Sequence, residues 1–358
     1  MAEARGRDKL WTRAVKAVRY TPAGVRRSLH TLALVLAGCL PEAPPPWQVD
    51  HTIAAALRFE VVERGPWAAD PPREDRKVAE VMPGDTLRPV PFVVGVDGPA
   101  LDLKPRYFFC DAQECLSEVG QVGGVRDCGD DEVVPPVDAC ELRGGTLRLG
   151  ELTALLHSAA IFMVAGTPEG PSTYKCLKRM RGEDGGNEAL QGCLLRIELL
   201  QLGPTWRLFL LAALTGLPDA VPLTAITPAV TAGEPNLFPG EPALTVYVTE
   251  PGQAMRTLTP ARGDVVTVRR AAQVVITAEV DPDDAQEYWF VSGTDGFAAA
   301  NEVLTIGWLF TQHVEWTAPD LLTIAWTAPD QSGPLYVYGL LGDGSTITPT
   351  WLRFEVEG

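Results

Sequence analysis

Six of the seven cysteines, Cys110, Cys115, Cys128, Cys140, Cys176 and Cys193, fall within 84 residues of a 358-residue chain. In an exported chain an even, crowded set of this kind reads as a disulfide framework. Six cysteines allow many pairings. The expected ones join near neighbours: Cys110 with Cys115, Cys128 with Cys140, Cys176 with Cys193. The rival reading is structural zinc, which takes paired ligands at short spacing. No Cys-x-x-Cys occurs, and His157 is the only histidine in the window, so no metal and no cofactor is expected.

The seventh cysteine, Cys39, bears on the compartment. Arg26 and Arg27 precede an apolar run, Leu29 and residues 32–36, and the small pair Ala37-Gly38 stands before the cysteine. Basic, apolar and small segments in that order make a signal peptide. The run is far below the roughly 18 apolar residues a membrane-spanning helix needs. Leu36-Ala37-Gly38-Cys39 resembles the lipobox of bacterial lipoproteins. The resemblance implies cleavage before Cys39 and a lipid on its thiol, and Leu40 after it resembles outer-membrane sorting. Two or three acyl chains anchor stably, at about 0.8 kcal/mol per buried methylene. Residues 1–38 are therefore expected to be a signal peptide. Residues 1–24 make its start long and contain Glu3 and Asp8; they read as a mis-called start, with a compact signal beginning at Val25.

The whole chain carries −16, and the eight Lys/Arg and two acids before Cys39 leave −22 for residues 39–358. After Cys39 the lysines are Lys77, Lys104, Lys175 and Lys178, and no basic patch is evident. Nucleic acid is not an expected partner.

Residues 39–50, with Pro41, Pro44, Pro45 and Pro46, read as an extended tether. From residue 51 short apolar stretches alternate with turn signals. Strands are expected at 56–63, within 82–98 and at 105–110. A looped, cysteine-bearing region occupies 111 to 148, then a helical turn at 151–159, a strand at 160–166 and two strands within 193–214. The Pro/Gly-rich run 216–240 puts a domain boundary near 234. After it, strands are expected at 243–250, 264–270, 273–281, 287–293, 334–344 and 351–357. Seven or so short strands with regular turns point to an immunoglobulin-like sandwich. The expected class is thus mainly all-β, as tandem immunoglobulin-like β-sandwiches, 51–233 and 234–358, the first with a disulfide-rich insertion. Trp-Thr-Ala-Pro-Asp occurs twice, at 316–320 and 326–330, and reads as a local strand-turn duplication. "MPGDTLRPVPFVV", "YFFC", "WTAPD" and "GDGS", behind a lipobox, resemble envelope lipoproteins of the myxobacterial type. That resemblance implies a surface or periplasmic protein and supplies no catalytic residues.

Candidate chemistry is thin. Ser172-Thr173-Tyr174-Lys175 matches the Ser-x-x-Lys of penicillin-binding enzymes, but its companion motifs are missing and it reads as a loop. Arg262-Gly263-Asp264 reads as a turn before a strand. Asp281, Asp283 and Asp284 are weak calcium candidates, because hard cations take several loop oxygens. Trp289, Trp308, Trp316, Trp326 and Trp351 read mostly as core, since aromatic burial is a large stabilising effect; an exposed row of them would bind glycans. After Cys39 the histidines are His51, His157 and His313, and no triad, Walker loop or His-Glu-x-x-His stands out. The expectation is a non-enzymatic binding or scaffolding module, held at the envelope membrane through Cys39, with an envelope protein or glycan as partner. The alternatives are a glycan-binding adhesin and an envelope-polymer hydrolase.

Overall fold

A computed structural model describes residues 47–65, 77–82, 84–100, 103–111, 115–119, 125–128, 139–149, 159–183, 190–200, 237–291, 297–342 and 346–358. The expected signal peptide, Cys39, all but Ala159 of the expected turn at 151–159, the second half of the 193–214 run and the expected boundary near 234 lie outside these residues; Ala159 itself begins a strand. Residues Pro46–Gly358 form one compact unit.

The N-terminal half runs β1 (Ile53–Glu63), β2 (Thr86–Gly95), β3 (Gly98–Pro99), β4 (Arg106–Asp111), α1 (Cys115–Val119), β5 (Arg126–Asp127), β6 (Cys140–Glu141), β7 (Leu147–Arg148), β8 (Ala159–Gly166), α2 (Thr173–Met180) and β9 (Cys193–Leu199). One sheet holds β1-β2-β3 with β7 on β2; the other has the order β5-β6-β4-β8-β9. Leu57, Phe59, Leu87, Val93, Phe109 and Ile161 fill the space between them. The second sheet is covered on its other face too. There Phe108, Phe162 and Val164 pack against Cys115 and Val119 of α1 and Cys176 and Leu177 of α2. This double cover explains β8, which is buried from Ala159 to Ala165. A strand covered on both faces reads as an unbroken apolar run instead of an alternation.

Disulfides hold the cover in place. Cys110–Cys115 ties α1 to β4, and Cys176–Cys193 ties α2 to β9. Cys128–Cys140 closes the inner side, where both residues belong to the intersheet core. The six sulfurs are thus bonded to one another in neighbour pairs, with Cα separations of 5.1, 5.0 and 5.7 Å in chain order, so none is free as a thiolate ligand.

The C-terminal half runs β10 (Ala243–Thr249), β11 (Arg256–Leu258), β12 (Val265–Arg269), β13 (Gln273–Glu279), β14 (Glu287–Val291), β15 (Phe297–Asn301), β16 (Thr305–Phe310), β17 (Trp316–Thr317), β18 (Thr323–Thr327), β19 (Gly333–Gly342) and β20 (Ile347–Glu357). Its sheets have the orders β11-β10-β13-β18-β17 and β12-β20-β19-β16, with β14-β15 apart as a hairpin. β12 runs parallel to β20. The alternation expected at 351–357 is present: Leu352, Phe354 and Val356 are buried, while Trp351, Arg353 and Glu355 are half-buried. Trp326 meets Phe310 and Phe354 edge-on, at centroid distances of 5.9 and 5.0 Å. The Trp-Thr of the first pentapeptide is β17 and that of the second ends β18; the two strands pair antiparallel with Trp316 opposite Trp326.

Two connections lock the halves together. The first is an apolar seam. Val49, Val94 and Tyr338 are its buried centre, with Phe92, Leu309 and Trp351 around them. The Tyr338 hydroxyl donates to the Gly95 carbonyl at 2.9 Å. Gly98, at φ +120°, lies under the Tyr336 ring, where a Cβ would come within 3.2 Å. The second is the segment 237–240. Its Phe238 amide donates to the Lys77 carbonyl at 2.8 Å, and Arg58 lies over the Phe238 ring. On the other side, the Leu237 amide donates to Gln286 Oε1 at 2.7 Å and the Thr348 hydroxyl to the Pro239 carbonyl at 2.6 Å.

Residues 47–50, expected at the end of the 39–50 tether, lie against the C-terminal half. Trp47 packs on Phe310, His313 and Trp316, and Gln48 forms a parallel bridge with Phe310. Burying an aromatic side chain against other rings is a large stabilising effect, and it holds Trp47 on the fold.

Candidate functional site

Three surface features gather polar chemistry. The first is a charge cluster on β1. Leu57 and Phe59 face the sandwich core, so by alternation Arg58 and Glu60 face the other way. Glu60 is buried, yet three cations reach it. Lys77 Nζ lies 2.5 Å and Arg58 3.2 Å from Oε1, and Arg88 lies 2.9 Å from Oε2. Register produces this: Glu60 pairs with Arg88 across β1 and β2. Burial works to raise the Glu60 pKa, but the hydrogen bonds from Lys77 and Arg88, with the charges of Lys77 and Arg58, outweigh it. The carboxyl titrates below its usual range. Arg58 is pushed below its ordinary value, by burial first and by Arg262 second, against the opposing charge of Glu60.

Arg262 leads to the second feature, a groove of about 530 Å³. Glu241, Thr245, Thr259, Arg262 and Glu279 supply its polar groups. The Thr245 hydroxyl donates to Glu279 at 2.6 Å, and Arg262 lies 3.8 Å from Glu241. Carboxylates, hydroxyls and a guanidinium can hydrogen-bond a hydroxylated ligand.

The third feature is α2. No basic patch is evident in the sequence after Cys39; the structure corrects this. Helical spacing turns Cys176 and Leu177 inward and gathers Lys175, Lys178 and Arg179 on the outer side, with Arg181 following as the C-cap. Sequence reasoning misses the helix because Pro171-Ser172 reads as loop. Ser172 is instead its N-cap, with Oγ accepting from the Lys175 amide at 3.4 Å. The Ser-x-x-Lys match is therefore a cap motif: a capping oxygen bonds an amide two or three residues on.

The remaining candidates are dispersed. Asp264 accepts from the Ala261 amide at 2.8 Å and closes the turn expected at Arg262-Gly263-Asp264. Asp281 caps the 3₁₀ turn Pro282–Asp284 by accepting from the Asp283 amide, and Asp284 accepts from the Gly240 amide at 3.0 Å. These carboxylates serve backbone amides, and among the described residues no group of three or more His, Cys, Asp or Glu is placed to hold a metal ion. Trp308 and Trp326 lie in the core, while Trp316 and Trp351 are half-buried at its edge and in the seam. His157 and the side chain of Trp289 lie outside what the structure describes. His51 pairs with Asp50, and His313 stacks on Trp47.

Buried acids elsewhere serve the fold. Asp85 accepts from the amides of Gly65 and Met82 at 2.6 and 2.8 Å, and burial raises its pKa despite those bonds. Burial likewise pushes the Tyr107 phenol up to about 12.

No family model matches the chain, and no curated protein is similar to it. Among solved structures it is similar to a nucleoside hydrolase-related hypothetical protein from Saccharophagus degradans that is associated with carbohydrate metabolism. That likeness has 12% identity and a TM-score of 0.20, over 26% of this chain and 22% of that one. It is too partial to carry an argument about fold or activity. The compartment rests on firmer ground. Three disulfides mark an oxidising, extracytoplasmic setting, and no helix among the described residues is long and apolar enough to cross a membrane.

Proposed function

We propose that the chain is a lipid-anchored, non-catalytic binding or scaffolding module of the bacterial cell envelope, held at the outer membrane through Cys39. One observation carries the reading: a lipobox-like Leu36-Ala37-Gly38-Cys39 stands ahead of a body whose six other cysteines are all paired. Acylation and oxidative folding belong to the same exported life.

The second half is an immunoglobulin-like sandwich in this reading. Its order β10-β13-β18-β17 against β16-β19-β20 supports that, because it matches the A-B-E-D and C-F-G arrangement of constant-type domains. The seam and the 237–240 segment support a scaffolding role, since halves joined at two places present their surfaces at fixed spacing. A hydroxylated ligand such as a glycan is a second reading, and the groove between Glu241 and Glu279 favours it.

Fatty-acid labelling in the native host, wild type beside Cys39→Ala, tests the anchor. Label on the wild type and none on the variant is expected. An unlabelled wild type, or label that persists in the variant, overturns the reading.

A further inference from the structure

We propose that the outer face of α2 docks on a phospholipid bilayer containing acidic headgroups. Residues 173–183 carry four cations and one acid, in a portion of the chain that is otherwise strongly acidic. Lys175 is exposed, and Lys178, Arg179 and Arg181 are half-exposed. Among the described residues none of these four forms an ion pair with a carboxylate. Arg179 instead donates to the Gln191 carbonyl at 3.2 Å.

Two apolar side chains flank the cations. Tyr174 is 61% exposed and Leu190 41%. The Lys178 ammonium lies 5.2 Å from the centroid of the Tyr174 ring. An aromatic ring beside lysines suits the headgroup layer, where the ring enters the interface and the ammonium groups meet phosphates. This apolar projection favours a bilayer over a soluble polyanion. The net negative charge elsewhere does not prevent docking, because salt screens charges beyond about 10 Å at 0.1 M.

The platform is rigid. α2 is bonded to β9 through Cys176–Cys193 and packs Cys176 and Leu177 into the cover of the second sheet, so docking orders few new residues. The proposal rests on the envelope reading for its membrane, but it does not need the lipid on Cys39.

The test uses the full chain with Cys39→Ser, which cannot be acylated, and co-sedimentation with phosphatidylcholine vesicles with or without a quarter phosphatidylglycerol. Binding is expected to the acidic vesicles, with release as salt rises from about 50 to about 500 mM. Each cation near such a surface contributes about five-fold. Lys175→Gln with Lys178→Gln therefore weakens binding about 25-fold, without changing the melting temperature, since neither residue is core. Arg143→Gln, at an exposed cation elsewhere in the same half, leaves binding unchanged. The proposal is overturned by equal binding of the double variant and wild type, by no binding to acidic vesicles, or by binding to dextran sulfate without binding to vesicles. A chain that is labelled at Cys39 in its host yet fails this assay refutes the α2 face and leaves the anchor standing.

Discussion

Replacing Tyr338 with phenylalanine removes one oxygen from the seam between the two halves. The ring stays, with its edge-on contact to Phe92 at 6.1 Å and its stacking on Tyr336 at 6.3 Å. What goes is the bond to the Gly95 carbonyl. Tyr338 is fully buried, and Gly95 keeps its ladder partner Gly98, so the loss is the net worth of one hydrogen bond, about 0.5–1.5 kcal/mol. A cost of about 1 kcal/mol can be turned into temperature. Unfolding entropy of about 2.1 cal/mol/K per residue, summed over the roughly 220 described residues, comes to about 0.46 kcal/mol/K. The melting temperature should therefore fall by about 2 °C. Scanning calorimetry reads both this shift and the number of transitions. One transition is expected in each protein, because the seam and the 237–240 segment couple the halves. An unchanged melting temperature, or two separate transitions in the wild type, would refute the locked seam.

The same geometry sets three further outcomes. Glu60→Gln leaves Arg58, Lys77 and Arg88 without their acid and should cost about 2 kcal/mol at pH 7, below the usual cost of breaking a buried pair because Lys77 and Arg88 are more than half exposed. Since the folded pKa of Glu60 is lowered, its contribution is present above the unfolded value of about 4.3 and is lost as pH falls through the folded one; urea midpoints should converge for wild type and variant on acidification. Cys176→Ala with Cys193→Ala opens a bond spanning 17 residues and should cost about 3 kcal/mol, measured as a shift in urea midpoint with the denaturant slope checked separately. Gly263→Ala places a methyl 3.0 Å from the Trp351 ring at φ +84° and should destabilise by at least about 1 kcal/mol, read by thermal melting.

Some of this architecture is legible in short windows of sequence. Pleating makes side chains alternate, so Leu352, Phe354 and Val356 declare the inner face of β20 without reference to any other strand. The unbroken apolar stretch at 160–166 declares a buried strand in the same way. The disulfide pairing tracks chain proximity, because bonds between residues close in sequence need little loop closure. Partners distant in sequence are another matter. Glu60 meets Arg88 only through the register of β1 on β2. Tyr338 meets Gly95 only when the two halves dock. Trp47 reads as the end of a tether until Phe310, His313 and Trp316 surround it.

The helix α2 shows the division most clearly. Its sequence alone determines its charges, its N-capping serine and the spacing that separates Cys176 and Leu177 from Lys175 and Lys178. A helix this short is marginal by itself. The tertiary structure decided that it forms, because the second sheet offers an apolar face and Cys193 a covalent tie. In the same step it decided which side of the helix water sees. Local pattern fixes what each segment can become; which segments meet is set by packing between residues far apart in the chain, and the surfaces available for binding emerge only then.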